Sequence, residues 1–253
     1  MAERITSRAN PLCTHFRKLA SSRTYRQETG EFLCDSPKLL SEAQLWGAAI
    51  KTVLYTEGAK LPSFDDAGVR MVEVSKSVMC AVSPMETPQG VVFSCGLPQN
   101  APPERVEPGR YLVLDGIQDP GNVGTILRTA DAFDCGGIFL LPGCADLYNP
   151  KTLRAAMGVH FRRALYLCTL EELTALLTAA AVPLYAAALR ENTVDVREAD
   201  LSNAAIVIGS EGRGVSPQVL AACGKTLKIP MSKRCESLNA AAAAAVLLWE
   251  GWR

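Results

Sequence analysis

The sequence predicts an α/β protein with two domains, a smaller N-terminal α/β domain and a larger C-terminal domain built on a mainly parallel sheet. Three observations lead to this prediction. Strand-like runs alternate with helical patterns along the C-terminal part, those runs are continuously apolar, and a proline-rich stretch divides the chain. Continuous apolar strands separated by helices are typical of a parallel sheet that is covered on both faces.

The N-terminal domain is predicted to span residues 1–97. Residues 16–26 have a basic helical character, and three short apolar runs are typical of strands. These runs cover 50–55, 69–74 and 90–95. Three prolines lie within residues 97–103, and neither a continuing helix nor a central strand tolerates them. Residues 98–108 are therefore predicted to be a linker.

Residues 109–253 form the predicted C-terminal domain. Its six predicted strands cover 111–114, 138–141, 164–168, 184–188, 205–208 and 226–229. The clearest helical pattern is an apolar stripe at the spacing of one helix face, made by Val123, Ile126, Leu127 and Ala130. The alanine run at 240–245 is a strong helix former, and we expect it to pack closely against the sheet.

The composition argues against several classes of protein. The chain is 48% hydrophobic and 21% charged, which is ordinary for a soluble globular protein and unlike a disordered or coiled-coil one. The N-terminus lacks the basic-then-apolar layout of a signal peptide. The longest apolar run, 240–249, is about half the length of a membrane span. We therefore expect a soluble, cytoplasmic protein without a membrane segment.

The nine cysteines and two histidines do not form a metal-site pattern. No two cysteines have the short paired spacing of a zinc site, and an odd number argues against a complete disulfide framework. We expect reduced cysteines, several of them acting as small core residues, and no metal. His15 and His160 are expected to be structural or surface residues.

The charges are balanced overall but unevenly distributed. The 26 basic and 26 acidic residues give a formal net charge of zero, so no overall field attracts a polyanion. Residues 1–26 nevertheless carry six basic side chains against Glu3 alone, and residues 151–163 carry four and no acid. Such local patches suit an enzyme that holds and releases RNA, although charge runs also occur on ordinary solvated surfaces.

Three strand-to-helix turns are candidate sites, because ligands of open parallel sheets bind beyond the carboxyl ends of the strands. The first turn, 115–122, is polar and glycine-rich, and a helix is predicted to begin near Asn122. Asn122 is expected to cap that helix or to face a ligand. Arg128 lies off the apolar stripe, where it either meets phosphate or is an ordinary surface charge.

The second and third turns follow the last two predicted strands. Residues 209–214 read Gly-Ser-Glu-Gly-Arg-Gly, and three glycines allow a tight turn and close approach to a ligand. The spacing is neither that of a dinucleotide fingerprint nor that of a P-loop, which disfavours a nicotinamide dehydrogenase. Glu211 either binds a cationic or hydroxylated group or is an exposed acid. In the third turn, 229–239, Ser237 is the expected N-cap and Asn239 lies in the first helical turn.

Together the three segments resemble the signature motifs of the SpoU (TrmH-like) family of the SPOUT superfamily of RNA methyltransferases. They read Asp-Pro-Gly-Asn-Val-Gly-Thr-Ile-Leu-Arg-Thr-Ala at 119–130, Gly-Ser-Glu-Gly-Arg-Gly at 209–214, and Ile-Pro-Met and Ser-Leu-Asn within 229–239. The resemblance covers 109–253. It implies a trefoil knot, a homodimer with its active site near the subunit interface, and methyl transfer from S-adenosyl-L-methionine to a ribose 2′-hydroxyl of RNA.

The N-terminal part is similar to the ribosomal-protein-like α/β domain that binds substrate in many members of that family. The similarity lies in Ser7, Asn10-Pro11, Lys18-Leu19, Arg23, Arg26 and residues 30–33. Residues 30–33 match the start of a strand in that domain. After this strand the family often has Val-Glu-Gly, whereas this chain has Cys34-Asp35-Ser36. The difference weakens any RNA contact assigned to the turn at 34–36. By analogy, this domain favours ribosomal over transfer RNA.

The resemblance also implies roles for individual residues. The candidates for catalysis and RNA positioning are Asn122, Arg128, Glu211 and Asn239. The candidates for cofactor binding are Leu189, Gly209, Glu211, Gly212, Ile229, Met231, Ser237, Leu238 and Asn239. The candidates for RNA binding are Arg8, Lys18, Arg23, Arg26, Arg128 and Arg154.

The attacking hydroxyl must lose its proton, and the sequence does not identify the base. In this family the arginine matching Arg128 has been proposed as the base, but a guanidinium almost never deprotonates in a protein. We favour the hypothesis that Arg128 grips a neighbouring phosphate while the proton leaves through a polar relay or water. The alternatives are a transfer RNA 2′-O-methyltransferase, a base methyltransferase, and a catalytically inactive RNA-binding member of the fold.

Overall fold

The computed structural model describes residues 3–63, 68–190, 193–232, 234–235 and 237–253. The chain divides into two compact units. Unit 1 comprises Met1–Gln99 and Asp146–Arg162, and unit 2 comprises Asn100–Ala145 and Arg163–Arg253. The division between Gln99 and Asn100 falls within the predicted linker, residues 98–108. Residues 146–162 lie inside the predicted C-terminal domain along the chain, but they pack in unit 1.

The elements are numbered in chain order over the described residues. The strands are β1 (Glu3–Ile5), β2 (Glu31–Asp35), β3 (Ile50–Tyr55), β4 (Arg70–Val74), β5 (Val91–Gly96), β6 (Arg110–Asp115), β7 (Gly137–Leu140), β8 (Leu165–Leu167), β9 (Leu184–Ala187), β10 (Thr193–Asp195), β11 (Ala204–Gly209) and β12 (Lys225–Lys228). The helices are α1 (Pro11–Ser21), α2 (Arg23–Thr29), α3 (Pro37–Leu45), α4 (Lys76–Val82), α5 (Pro120–Ala132), α6 (Pro150–Ala156), α7 (Val159–Arg162), α8 (Leu170–Ala179), α9 (Pro217–Ala222) and α10 (Ala240–Trp252). None of these helices is long and apolar enough to cross a membrane.

Unit 1 is built on a five-stranded mixed sheet in the order β1-β4-β3-β5-β2. β5 runs antiparallel to both β3 and β2, and the other pairs are parallel. Its core contains the buried side chains of Phe16, Leu19, Leu54 and Met79. The predicted strands at 50–55, 69–74 and 90–95 are β3, β4 and β5. The single helix predicted at 16–26 is two helices, because Ser22 ends α1 and its side chain accepts a hydrogen bond from the Tyr25 amide to cap α2.

Three ion pairs hold residues 146–162 within unit 1. Arg26 donates to Asp146 at 2.5 Å. Arg162 donates to Glu42 at 2.9 Å, and Arg154 lies 3.3 Å from Asp35. Asp35 is only 4% exposed, so burial raises its pKa, and Arg154 opposes that shift. The β2–α3 turn, where the chain departs from the family pattern, therefore serves the packing of unit 1.

His160 is buried in unit 1 and held as a neutral imidazole. Its Nε2 lies 2.8 Å from the Leu147 carbonyl oxygen, and burial lowers its pKa to about 4. The residue is thus structural, as the sequence predicts.

This burial predicts that acid destabilises the protein. Below pH ~6.5 the unfolded chain takes up a proton on this histidine that the folded chain excludes until pH ~4. Stability is therefore lost as the pH falls through that window, by about 2 kcal/mol between pH ~7.5 and ~5. Urea unfolding of the parent and of His160→Gln at both pH values measures this contribution. An equal pH dependence in the two proteins would contradict the prediction.

Unit 2 is built on a seven-stranded sheet in the order β10-β12-β9-β11-β6-β7-β8. Every pair in it is parallel, which confirms the predicted parallel α/β class. The six predicted strands are β6, β7, β8, β9, β11 and β12, and β10 was not predicted. The trefoil knot implied by the family resemblance stays a prediction.

The last helix closes unit 2. α10 packs against α5 and β11, and Ala240, Ala241 and Ala244 on its inner face are buried. Small side chains permit that close approach, as the sequence predicts. The N-cap of α10 is Asn239, whose side-chain oxygen accepts hydrogen bonds from the amides of residues 241 and 242. The prediction that Ser237 is the N-cap was therefore wrong, since the helix begins two residues later than that cap requires.

Candidate functional site

A cavity of about 290 Å³ opens in unit 2 at the carboxyl ends of three parallel strands, β9, β11 and β12. Its remaining wall comes from α10 and from the loop that precedes it. The lining residues are Ala187, Ala188, Leu189, Ile208, Gly209, Ser210, Glu211, Gly214, Leu227, Lys228, Ile229, Met231, Ser237, Leu238, Ala240, Ala243 and Leu247. This is the edge of the sheet at which the sequence places the candidate turns.

The second turn folds back tightly on the end of β11. A Cβ atom on Gly209 would lie 2.2 Å from the carbonyl carbon of Gly214 and 2.2 Å from the amide nitrogen of Val215. Only glycine permits this approach of backbone to backbone. The Gly214 amide donates to the Ser210 carbonyl at 2.8 Å, and Gly214 itself has a φ of +68°. The glycines therefore fix the shape of one cavity wall.

Asp115 anchors the far end of the same turn. It ends β6, is 8% exposed, and accepts a hydrogen bond from the Ser216 amide at 2.6 Å. Asp115 was not among the predicted site residues, although an acid that ends an apolar strand at a candidate turn indicates such a role. Asp115 thus positions the wall that carries Glu211.

The three turns meet in a polar cluster of Asn122, Glu211 and Asn239. Asn122 Nδ2 donates to Glu211 Oε1 at 2.5 Å, and Asn239 Nδ2 donates to Asn122 Oδ1 at 3.2 Å. The side-chain oxygen of Asn239 is already occupied in capping α10, which orients its amide nitrogen towards Asn122. The two hydrogen bonds thereby join Asn122 to side chains that lie 89 and 117 positions further along the chain.

Asn122 is free for this cluster because another residue caps α5. Asp119 is the N-cap, its side chain accepts from the Asn122 amide at 2.9 Å, and Pro120 follows as the first helical residue. The helix thus begins at Pro120, and Asn122 is not its cap. Its side chain faces the other candidate residues.

Most of the candidate cofactor-binding residues line this cavity. Those that do are Leu189, Gly209, Glu211, Ile229, Met231, Ser237 and Leu238. Gly212 and Asn239 do not, and Gly212 has open space around its Cα. Leu189 is 67% exposed and Met231 and Leu238 are more than a third exposed, so the cavity mouth presents apolar side chains that a ligand would cover. Lys228 and the α10 residues were not predicted, because strand ends and helix faces meet only in the fold.

Arg128 lies on the exposed surface of α5. Over the described part of the chain it makes no ion pair and no side-chain hydrogen bond. A guanidinium without a protein partner is available to a phosphate. Arg128 is therefore available for the predicted contact with a phosphate, which stays a prediction.

The other candidate RNA-binding residues differ in accessibility. Arg8, Lys18 and Arg23 are exposed in unit 1. Arg154 is one-third exposed and paired with an acid. Arg26 is 4% exposed, and its terminal nitrogens donate to Asp146 and to a main-chain carbonyl. A buried guanidinium cannot contact RNA in this conformation, so we leave Arg26 out of the RNA surface.

The chemistry of the cavity rests on amides, one carboxylate and main-chain groups. In the described ranges, no group of three or more His, Cys, Asp or Glu could hold a metal ion. All nine cysteines are free thiols. Burial raises the pKa of Cys144, whose sulfur donates to the Leu114 carbonyl at 3.3 Å, to about 11. A thiol with that pKa stays protonated and is a poor nucleophile.

Comparison with known proteins gives a consistent result for both parts of the chain. The family model of the SpoU rRNA Methylase family matches residues 109–249, and that of the MRM3-like substrate binding domain matches residues 10–92. The 23S rRNA (guanosine(2553)-2′-O)-methyltransferase RlmP of Bacillus subtilis is 33% identical over 98% of each chain.

Solved structures agree with the sequence comparison. The structure of an AdoMet-bound rRNA methyltransferase from Sinorhizobium meliloti has a TM-score of 0.87 and 30% identity, and covers 99% of this chain and 97% of that one. The SpoU methyltransferase AviRb from Streptomyces viridochromogenes, in complex with AdoMet, has a TM-score of 0.86 and 26% identity, with 96% and 97% covered. These relatives match both parts of the chain together.

Proposed function

The chain belongs to the SpoU rRNA methylase family, and on that premise we propose that it transfers a methyl group from S-adenosyl-L-methionine to a ribose 2′-hydroxyl of ribosomal RNA. The observation that carries the proposal is the cavity at the carboxyl ends of β9, β11 and β12, directly beside the cluster of Asn122, Glu211 and Asn239. A cofactor pocket and a polar cluster are the two parts that this reaction needs.

The lining of the cavity fits the cofactor. Its walls combine apolar side chains such as Leu189, Ile208 and Leu238 with main chain at the strand ends, which suits a flat heterocycle and a ribose. The volume, about 290 Å³, is at the lower end for small-molecule pockets, about 300–1,000 Å³. Glu211 is the acidic side chain among the lining residues, and an acid suits a ligand that carries a positive sulfur.

The protein's own contribution is mainly positioning. S-adenosyl-L-methionine supplies an activated methyl group, which an oxygen nucleophile receives while the sulfur loses its positive charge. Holding two reacting groups in line is worth up to about 7–11 kcal/mol. Asn122, fixed on both sides by Glu211 and Asn239, orients the ribose, and Arg128 holds the neighbouring phosphate. The hydroxyl proton leaves through the same polar cluster, in which Glu211 supplies a carboxylate that can accept it.

Unit 1 is the proposed RNA-binding part of the chain. The MRM3-like substrate-binding model matches residues 10–92, and Arg8, Lys18 and Arg23 present exposed cations there. Cationic side chains of this kind bind the phosphate backbone without reading its sequence. Relatives of this chain are named as methyltransferases of ribosomal RNA, which favours that substrate over transfer RNA. The similarity to the bacterial relative RlmP favours the cytoplasm as the location of the enzyme.

Methyl transfer from labelled cofactor to total RNA tests the proposal. The labelled RNA is digested to nucleosides, and we expect the label on a ribose 2′-oxygen of a ribosomal RNA nucleotide. Label on a base would point to base methylation, and label on transfer RNA to the other substrate. Isothermal titration with the cofactor separates a further outcome, since no binding would identify an inactive RNA-binding member of the fold.

Arg128→Lys is expected to lower turnover at least about tenfold, because lysine keeps the charge but loses the two-pronged guanidinium contact with phosphate. Single-turnover methyl transfer measures the effect. The control is Arg105→Lys, which changes another exposed arginine of unit 2 and should leave turnover unchanged. Near-normal turnover of Arg128→Lys would rule out the two-pronged clamp.

The homodimer that the family resemblance implies is also a proposal. Trp249, Trp252 and Val246 on α10 are each more than a third exposed, and Trp249 packs edge-on against Phe133 at the end of α5, with ring centroids 5.8 Å apart. An exposed aromatic patch of this kind marks a protein interface. Because α5 and α10 also carry Arg128 and the Asn239 cap, a partner bound here would lie near the site.

Trp249→Asp is expected to weaken that dimer by at least about 30-fold, since a central tryptophan commonly contributes about 2 kcal/mol or more to an interface. Sedimentation velocity over a concentration series measures the dissociation constant. Leu45→Asp, which changes a more exposed apolar side chain on α3, is the control. A parent protein that is monomeric throughout, or equal effects of both variants, would contradict this interface.

A further inference from the structure

Unit 1 contains a second cavity, of about 630 Å³, whose lining shares no residue with the cavity of unit 2. We call it the unit 1 cavity. It lies between the C-terminal end of α3, the start of β3 and the end of β5, and all its lining residues belong to unit 1. Aromatic side chains and a cation lie along its wall, namely Phe32, Trp46, Lys51, His160 and Phe161. Its size suits a ligand larger than an ion.

His160 contributes a neutral, firmly held ring to the wall of this cavity. His160 is 8% exposed and lines the cavity. Its Nε2 donates to the Leu147 carbonyl oxygen, which can only accept, so Nδ1 carries the lone pair of the neutral ring. That Nδ1 is buried and makes no hydrogen bond. Because Nδ1 is closed to solvent, it does not contact a ligand in the cavity, and His160 serves as a neutral aromatic part of the wall.

The rim of the cavity offers a stacking surface and a positive charge. Trp46, the C-cap residue of α3, is 51% exposed, although an indole of this size is usually covered in a folded domain. Lys51 on β3 is exposed, and its stem runs over Gly96, where an added Cβ would lie 3.5 Å from the lysine Cε. A flat ring and an anion could therefore be held side by side.

We propose that the unit 1 cavity binds an unstacked nucleobase of the RNA, with the base on the Trp46 indole and its phosphate at Lys51. Every nucleobase has a flat π-face, and single-stranded bases are commonly held by stacking on aromatic side chains. The inference depends on the proposed function for its ligand class, RNA. It adds a contact that requires a single-stranded nucleotide, whereas Arg8, Lys18 and Arg23 contact only the phosphate backbone.

The first test uses guanosine 5′-monophosphate as the probe and tryptophan fluorescence as the readout. The chain has three tryptophans, and we expect the nucleotide to quench the emission of Trp46 in the millimolar range. Trp46→Phe should abolish the quench. Lys51→Ala should weaken binding on the order of 10-fold, whereas Lys38→Ala, which removes another exposed lysine of unit 1, should leave it unchanged.

Three results would overturn the inference. Equal binding of ribose 5-phosphate would reduce the cavity to a phosphate site. A quench that persists in Trp46→Phe would place the nucleotide elsewhere. No quench of the parent protein at all would mean that the cavity takes no base.

The second test separates this inference from the proposed function. Trp46→Ala should raise the KM for RNA on the order of 10-fold, with kcat and the affinity for S-adenosyl-L-methionine unchanged. An unchanged KM in an active enzyme would refute the nucleobase site and leave the methyltransferase intact. Conversely, quenching by the nucleotide in a protein that methylates no RNA would refute the proposed activity and leave the site standing.

Discussion

Gly209→Ala is expected to abolish cofactor binding and methyl transfer, with a loss of activity of more than about 1,000-fold. The added methyl group would lie 2.2 Å from two backbone atoms of Gly214 and Val215, and backbone cannot rotate away as a side chain can. The turn would have to open, and with it the wall of the cavity that carries Glu211. Overpacking of this kind also costs about 1–3 kcal/mol of stability or more. Isothermal titration with S-adenosyl-L-methionine and thermal unfolding measure the two effects.

Gly224→Ala is the matched control for this substitution. Gly224 lies in the same unit, between α9 and β12, and an added Cβ there would meet nothing within 4 Å. Its cofactor affinity should stay within about threefold of the parent, since surface substitutions rarely change the free energy of folding by more than about 0.5 kcal/mol. Cofactor binding by Gly209→Ala at parental affinity would show that the turn is not the rigid wall described above.

Asn122→Asp is expected to lower kcat at least about 100-fold, because a displacement of about 1 Å in a positioned group can cost that much. The substitution places a second carboxylate where an amide now donates to Glu211 at 2.5 Å. Two carboxylates at that distance repel each other or share a proton. The hydrogen bond that Asn239 Nδ2 donates is retained, because an aspartate at position 122 still offers an oxygen to accept it. The prediction is thus specific to the pair of Asn122 and Glu211.

Combining Asn122→Asp with Glu211→Gln exchanges the amide and the carboxylate and restores a hydrogen bond between them. We expect the double variant to recover at least about tenfold over Asn122→Asp alone, a coupling typical of residues in contact. Glu211→Gln alone gives the fourth corner of the cycle. Additive losses across the cycle would show that the two residues act independently and that no relay joins them.

The parallel sheet was predictable because its strands are continuous apolar runs. Each run can be recognised from its own residues, without knowledge of the neighbouring strands. β1 and β10, each three residues long, were not predicted. β10 is held by pairing with β12, including a 2.8 Å contact between the hydroxyls of Thr193 and Thr226. Such a strand exists only once its neighbour is in place, so its own residues carry little signal.

The candidate site was predictable in part for a similar reason. Strand ends and glycine-rich turns are local features, and they located Asn122, Gly209 and Glu211. The pairing of Asn122 with Glu211 and Asn239 joins distant segments, and no spacing along the chain indicates it. Residues 146–162 are a second case. They belong to unit 1 because they form ion pairs with residues about 120 positions earlier in the chain. The cap of α5 could have been found, since Asp-Pro is a common helix start.

The double use of Asn239 couples the folding of α10 to the assembly of the site. Its oxygen begins α10 and its nitrogen completes the polar cluster, and α10 supplies the last wall of the cavity. Unfolding of α10 alone would therefore open the pocket and break the cluster in the same step. We expect any condition that unfolds α10 to remove cofactor binding and methyl transfer together.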